Sequence, residues 1–267
     1  MRRLIKTSAI LMAFAVGLWL TAIVGMYVFR TDLIYPFRTW ADVRQPSGLP
    51  GAQVRSFAAT DGTQVLYWYV PPRPGKPVIL YFKGNSGALV SSGPRLTPFV
   101  LQGYGIAALN YRGAGGAAGH PDQTTLTADA LALYDLLGAK PPVVYGTSLG
   151  AAVAVQVAAR RPARALILET PFARICEAAR HSYPLIPACL LLPDNHWASI
   201  DMIEQIEAPL LVLQGTEDRI VPLEQAKRLF AAAPDPKQIV VYPGGRHNDL
   251  RLYGAGDAIR TFLDGLP

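Results

Sequence analysis

The chain is 267 residues long and carries 25 Lys and Arg against 19 Asp and Glu, a formal net charge of +6. Four of the basic residues, Arg2, Arg3, Lys6 and Arg30, lie in the first 30 positions with no acid among them, so the remaining 21 face 19 acidic residues and leave only +2. That balance excludes a nucleic-acid footprint, and two cysteines with neither a Cys-x-x-Cys pair nor a Cys/His cluster argue against a metal site.

The mean hydropathy of +0.21 owes much to one stretch. Thr7 to Phe29 contains no charged residue and is mostly Ala, Val, Ile, Leu, Met, Phe and Trp. As a helix it would extend about 34 Å, enough to cross a hydrocarbon core. Arg2, Arg3 and Lys6 precede it, while Arg30 and Asp32 follow. The positive-inside rule then puts the short N-terminus in the cytoplasm and the bulk of the chain on the extracytoplasmic, periplasmic side. A cleaved signal peptide with a secreted product is the alternative. Its apolar region would be shorter, however, and no convincing small-x-small cleavage site follows. The expected layout is an anchor over 1–30, a linker over 31–53 and one domain over 54–267, a length that suits a single α/β core.

Pro46, Gly48, Pro50 and Gly51 mark the linker. Val54–Ala59 and Gln64–Val70 read as an entry hairpin around the Asp61-Gly62 turn. Apolar strands then alternate with helices: Val78–Phe82, helix Pro94–Gln102, Ile106–Asn110, and helix Gln123–Leu137 with Leu126, Ala130, Leu133 and Leu137 on one face. Next come Val143–Tyr145 with its helix, Ala165–Leu168, Leu210–Leu213, helix Leu223–Ala232, Gln238–Tyr242 and a final helix from about Asp249 to Leu263. Near-continuous apolar strands separated by helices predict a mostly parallel, doubly wound α/β sheet covered on both faces. The irregular, Pro- and Leu-rich stretch at about 171–200 predicts a small lid. Its Leu190, Leu191 and Leu192 suit an acyl site, contact with a bilayer, or plain core packing. Cys176 and Cys189 lie in the same stretch, as a pair closing a short loop or as two separate thiols.

The chemistry centres on Gly146-Thr147-Ser148-Leu149-Gly150, a Gly-x-Ser-x-Gly turn between a short buried strand and a helix of small residues. Such a turn holds a serine Oγ above the sheet edge, and side chains at the flanking glycines would clash. Ser148 is therefore the candidate nucleophile. A serine hydroxyl needs a base oriented by an acid, and sites in open α/β sheets gather at the carboxyl ends of strands. His247 follows Gln238–Tyr242 and is the candidate base; His120, His181 and His196 read as surface or lid residues. Asp218, in the loop after Leu210–Leu213, is the candidate acid, with Glu217 as its neighbouring alternative. The oxyanion donors expected are the backbone N–H groups of Leu149 and of Asn85 in the loop Lys83-Gly84-Asn85-Ser86-Gly87. Gly113-Ala114-Gly115-Gly116-Ala117-Ala118 imitates a dinucleotide fingerprint. It is followed by Gly119-His120-Pro121 rather than a helix, so it reads as a loop near the site with no dinucleotide.

Phe82-Lys83-Gly84-Asn85, Asn110-Tyr111-Arg112-Gly113, the Ser148 turn, Thr170-Pro171-Phe172, Gly215 with Asp218 and Val221-Pro222, and Gly244 with His247-Asn248-Asp249 together resemble the α/β-hydrolase superfamily. They are most similar to its single-helix-anchored serine hydrolases, which include protein depalmitoylases and lysophospholipid hydrolases. The resemblance runs from about residue 32 to the C-terminus. It implies an α/β-hydrolase fold with a small lid insert after one transmembrane helix. It also implies a Ser148–His247–Asp218 triad acting on acyl esters or thioesters of lipid-like substrates, with no cofactor. Members usually carry histidine where this chain has Lys83. A peptidase of the prolyl or aminopeptidase type, expected to need a larger cap, and a non-catalytic tethered binding module are the alternatives.

Overall fold

The computed structural model describes residues 2–37, 44, 46, 48–85, 89–192 and 196–266. Residues 38–43, 45 and 47 of the predicted linker, Ser86 and Gly87 of the predicted oxyanion loop and 193–195 of the predicted lid lie outside them. The chain opens with α1 (Arg2–Val28), whose segment Ile5–Val28 is long and apolar enough to cross a membrane and is not buried against the rest of the protein. A short α2 (Arg30–Ile34) follows, and Tyr35 and Phe37 behind it are buried in the core. The start of the predicted linker is therefore packed, Phe37 stacking on Tyr111 at 5.5 Å.

β1 (Gln53–Ala58) and β2 (Gln64–Val70) form the entry hairpin, closed by Gly62 at φ 81° and by the Thr63 N–H donating to the Asp61 carboxylate. The winding then runs β3 (Val78–Phe82), α3 (Gly93–Leu101), β4 (Gly105–Leu109), α4 (Gln123–Leu136), β5 (Val143–Thr147), α5 (Leu149–Ala158) and β6 (Ala165–Glu169). After it come α6 (Ile175–Ser182), α7 (Ala188–Leu191), β7 (Leu210–Gly215), α8 (Leu223–Ala232), β8 (Lys237–Tyr242) and α9 (Ala255–Asp264). Among the described residues eight strands make one sheet in the order β1-β2-β4-β3-β5-β6-β7-β8, parallel from β4 to β8, with β2 antiparallel to both its neighbours.

Strand alternation sorts the core into two layers. Leu80, Phe82, Val144, Leu166, Leu168 and Val212 face α4, α5 and α8. Ile79, Tyr81, Val143, Tyr145, Ile167 and Leu211 face α3 and α9. Both faces are apolar because both are covered, which is why the strands read as unbroken hydrophobic runs. α4 starts at a reciprocal cap, the Thr125 N–H on the Asp122 carboxylate and the Asp122 N–H on Thr125 Oγ1. One predicted element is divided. The helix expected from about Asp249 is a 3₁₀ turn at Leu250–Tyr253 that Gly254, at φ 87°, breaks before α9 begins. The winding reverses about β3, so the carboxyl ends of β3 and β5 flank the crevice where such sheets hold their sites.

Candidate active site

Ser148 joins β5 to α5 at φ 52° and ψ −117°, a backbone conformation that a non-glycine residue enters only when its surroundings impose it. The imposition is close packing. A Cβ at Gly146 would lie 2.1 Å from the Gly150 carbonyl oxygen, and one at Gly150 would lie 2.0 Å from the Phe82 carbonyl oxygen. The turn therefore closes on bare backbone and docks against the end of β3. The Ser148 N–H donates to the Glu169 carbonyl at 2.9 Å, which ties the elbow to β6 as well.

His247 arrives from the loop after β8. That loop packs on the end of β7, where a Cβ at Gly215 would lie 2.1 Å from the Gly245 carbonyl oxygen. His247 Nε2 is 2.9 Å from Ser148 Oγ, and its Nδ1 is 2.7 Å from Asp218 Oδ2. Asp218 is held in turn: its Oδ1 accepts the N–H groups of Ile220 at 2.9 Å and Val221 at 2.8 Å, and its Oδ2 accepts Gln214 Nε2 at 3.0 Å. Burial pushes the Asp218 carboxyl up, but the His247 contact and those two backbone donors outweigh it, and the net direction is below the ordinary carboxylate value. Glu217 instead points to the surface, 3.8 Å from Arg246. His120 and His181 are exposed and His196 is part-buried against Trp197; none of the three lines the cavities at Ser148. Ser148, His247 and Asp218 thus form a continuous hydrogen-bonded chain across three loops that the sequence separates widely.

The β3 loop runs alongside the serine, for a Cβ at Gly84 would sit 3.4 Å from Ser148 Cβ. Asn85 and Leu149 line one cavity together with Ser148 and His247. The Asn85 side chain donates to the Ile34 carbonyl at 3.3 Å, tying this loop to α2. Lys83, only 2% exposed, donates to the Gly84 carbonyl at 3.3 Å. Its ammonium lies 4.3 Å from the Phe37 ring centre and 4.9 Å from that of Tyr111. Burial pushes its pKa down to about 7.

Two cavities meet at the serine. The smaller, about 80 Å³, is polar and reaches Tyr81, Arg95, Thr147 and Glu169. There Arg95 grips Glu169 through Nε at 3.2 Å and Nη2 at 3.0 Å, and Tyr145 Oη donates to the same carboxylate. This buried cluster escaped the sequence reading because its members come from α3, β5 and β6; the one available signal was an acidic residue ending an otherwise apolar strand. The larger cavity, about 450 Å³, is apolar and lies between the lid and the α1–α2 segment. Phe172, Ile175, Ile186 and Leu191 line one side, Met26, Leu33 and Ile34 the other. A wall contributed by the end of α1 and by α2 was likewise not predicted. The lid is closed at its base by a bridge between Arg174 and Ala198, and Cys176 and Cys189 are paired, joining α6 to α7. The glycine-rich loop after Arg112 lines neither cavity among the described residues; it surrounds Arg112, which is paired with Asp129. No group of three or more His, Cys, Asp and Glu side chains among the described residues is arranged to hold a metal.

Comparison with known proteins agrees with this architecture. Residues 94–198 and 197–251 match the family described as serine aminopeptidase, S33. An uncharacterized protein of Mycobacterium tuberculosis is 40% identical over 230 residues, covering 81% of each chain. A lysophosphatidylserine lipase of Danio rerio is 34% identical over 187 residues, covering 61% of this chain and 49% of its own. Among solved structures, an esterase of Pyrococcus furiosus superposes with a TM-score of 0.66 at 16% identity, covering 80% of this chain and 91% of its own. A membrane phospholipase A described as a bacterial virulence factor does so with a TM-score of 0.65 at 17% identity, covering 100% and 99%. With the fold, the strand order and the family match in agreement, the chain belongs to the α/β-hydrolase superfamily, in the family described as serine aminopeptidase, S33.

Proposed function

We propose that the protein is a membrane-anchored serine hydrolase that cleaves carboxylic esters or thioesters of acyl groups through an acyl-enzyme. The observation that carries this reading is the relay from Ser148 Oγ through His247 to Asp218, at 2.9 and 2.7 Å, opening into an apolar cavity of about 450 Å³. That volume falls in the range of sites for small organic ligands, roughly 300–1,000 Å³.

Ser148 Oγ attacks the acyl carbonyl while His247 Nε2 takes its proton. Asp218 fixes the imidazole with Nδ1–H towards the carboxylate and stabilises the imidazolium that forms. The Leu149 and Asn85 N–H groups receive the charge that develops on the carbonyl oxygen. His247 then returns the proton to the leaving alcohol or thiol, and the carbon–oxygen or carbon–sulfur bond breaks. Water, deprotonated by the same imidazole, releases the acid and restores Ser148. The apolar lining of the larger cavity suits an acyl chain, and the polar cavity beyond the serine suits the departing hydrophilic half.

The family description favours a second reading, aminopeptidase activity. The larger cavity argues against it, since Arg30, Tyr183 and His247 are its titratable lining residues and none is a carboxylate that would bind a substrate ammonium, while Glu169 of the smaller cavity is already paired with Arg95. The retained anchor is supported by contacts that cleavage would remove: Trp19 Nε1 donates to the Leu185 carbonyl at 2.7 Å, and Met26 lines the cavity.

The test is labelling by a fluorophosphonate probe in membranes, followed by p-nitrophenyl esters of graded chain length. Wild type should be labelled and Ser148→Ala should not, with ester turnover in the variant down by about 10⁴-fold or more. A folded wild-type protein that takes up no probe would overturn the proposal. Faster cleavage of aminoacyl amides than of acyl esters would favour the peptidase.

A further inference from the structure

The lid does not stand above the anchor; it reaches back along it. Trp19 precedes the end of α1 by nine residues, which is about 13 Å of helix. Its indole N–H nevertheless donates to the carbonyl of Leu185, at the lid's tip, at 2.7 Å. With Ile5–Val28 across a hydrocarbon core of about 30 Å, that contact lies some 10 Å inside the core.

The lid tip has the composition that such a depth demands, and much of its backbone hydrogen bonding is internal. Tyr183 to Leu192 contains no charged residue. Leu185 is 79% exposed and Leu190 85%, beside a half-exposed Tyr183. Backbone in a bilayer must satisfy its polar groups internally. Here five of the eight non-proline N–H groups, those of Tyr183, Ile186, Ala188, Leu190 and Leu192, donate to backbone carbonyls, while Pro184 and Pro187 have none to satisfy. The Leu185 carbonyl takes the Trp19 indole. The same segment turns Ile186, Ala188 and Leu191 inward to the cavity at Ser148, so it separates that cavity from whatever surrounds its outer face.

We propose that Tyr183–Leu192 is a lipid-immersed wedge seated on the anchor helix, and that acyl chains pass from the adjacent leaflet into the cavity between wedge and anchor. The partner is thus the bilayer itself, and the substrates are lipids resident in it. The wedge is a surface of this fold and does not depend on the reaction; the entry of acyl chains rests on the hydrolase reading.

Two measurements on the full-length protein in phosphatidylcholine vesicles test the two statements separately. A nitroxide on Leu185→Cys, the native cysteines being paired, should collide with oxygen in preference to a water-soluble nickel chelate. The opposite preference would overturn the wedge whatever the enzyme does. For the second, Leu185→Asp/Leu190→Asp should hydrolyse water-soluble p-nitrophenyl acetate within about twofold of wild type. Against a long-chain fluorogenic ester dissolved in the vesicles it should lose about tenfold or more, a loss absent from Leu185→Phe/Leu190→Phe. Equal effects of the Asp pair on both esters would overturn entry from the leaflet. If neither ester is cleaved even by wild type, the hydrolase reading fails while the spin-label result still stands for the wedge.

Discussion

A lysine buried beside Ser148 is the least expected residue of the candidate site. Among the described residues Lys83 meets the Gly84 carbonyl and the faces of Phe37 and Tyr111, and no carboxylate. Burial pulls its pKa from 10.5 down to about 7. Between those two values the unfolded chain holds a proton that the folded chain has released, so this group makes stability rise with pH across that window. Below about pH 7 both states are protonated and the full desolvation penalty is present. Lys83→Met keeps the side-chain volume and removes the penalty. The shift sets a ceiling on the order of 5 kcal/mol, which the ring contacts lower because they favour the charged form. We expect Lys83→Met to be more stable than wild type by about 2 kcal/mol at pH 6, with the gain fading towards pH 10. Urea unfolding in detergent at both pH values reads this directly, and a gain independent of pH would refute the electrostatic account.

At the scale of elements, the site is assembled by backbones that touch where side chains are missing. Gly150 lets the first turn of α5 sit against the carbonyls of Phe82 and Lys83, which brings Leu149 and the Asn85 loop to the same cavity. Gly150→Ala would set a Cβ 2.0 Å from the Phe82 carbonyl oxygen, in backbone that the sheet holds, and 2.5 Å from that of Lys83 just beyond it. It should cost about 3 kcal/mol or more and abolish probe labelling. Gly256→Ala, in the first turn of α9 with nothing within 4 Å, should instead stabilise by about 0.5–1 kcal/mol. Thermal melts of the two variants check the contrast, and similar effects would refute it. These elements also mark what the sequence made legible. Strands buried on both faces, glycines at the elbow and a histidine after the last strand each carry a local signature, and Ser148, Asp218 and His247 do converge. Contacts between distant elements carry none. The Arg95–Glu169–Tyr145 cluster and the cavity wall from Met26 to Ile34 depend on three-dimensional neighbourhood alone. Tyr35 and Phe37 looked like linker because five or so apolar residues beside a span do not declare whether they meet lipid or core. The pairing of Cys176 with Cys189 needed the two short lid helices to be set side by side.

For the molecule as a whole, two unrelated observations argue for the same placement in the cell. Arg2, Arg3 and Lys6 precede the span without an acid, and basic residues at the end of a first span are retained in the cytoplasm. A disulfide joins the lid helices far away in sequence, and disulfides persist in oxidising compartments. Charge acts during insertion, whereas the disulfide reports where the folded domain resides, so agreement between them is not built in. On these two grounds we propose that the site lies outside the cytoplasm, its cavity mouth against the outer face of a membrane crossed by α1. In a Gram-negative host, alkaline phosphatase fused at the C-terminus should therefore be active and a green fluorescent protein fusion dark. Cys176 and Cys189 should resist maleimide in denatured samples until reductant is added. Reversing the three charges, with Arg2→Glu, Arg3→Glu and Lys6→Glu together, should reduce phosphatase activity by about tenfold, because the span loses the bias that orients it. A dark phosphatase fusion with freely labelled thiols in the unaltered chain would overturn this topology, and would leave the disulfide without the compartment that sustains it.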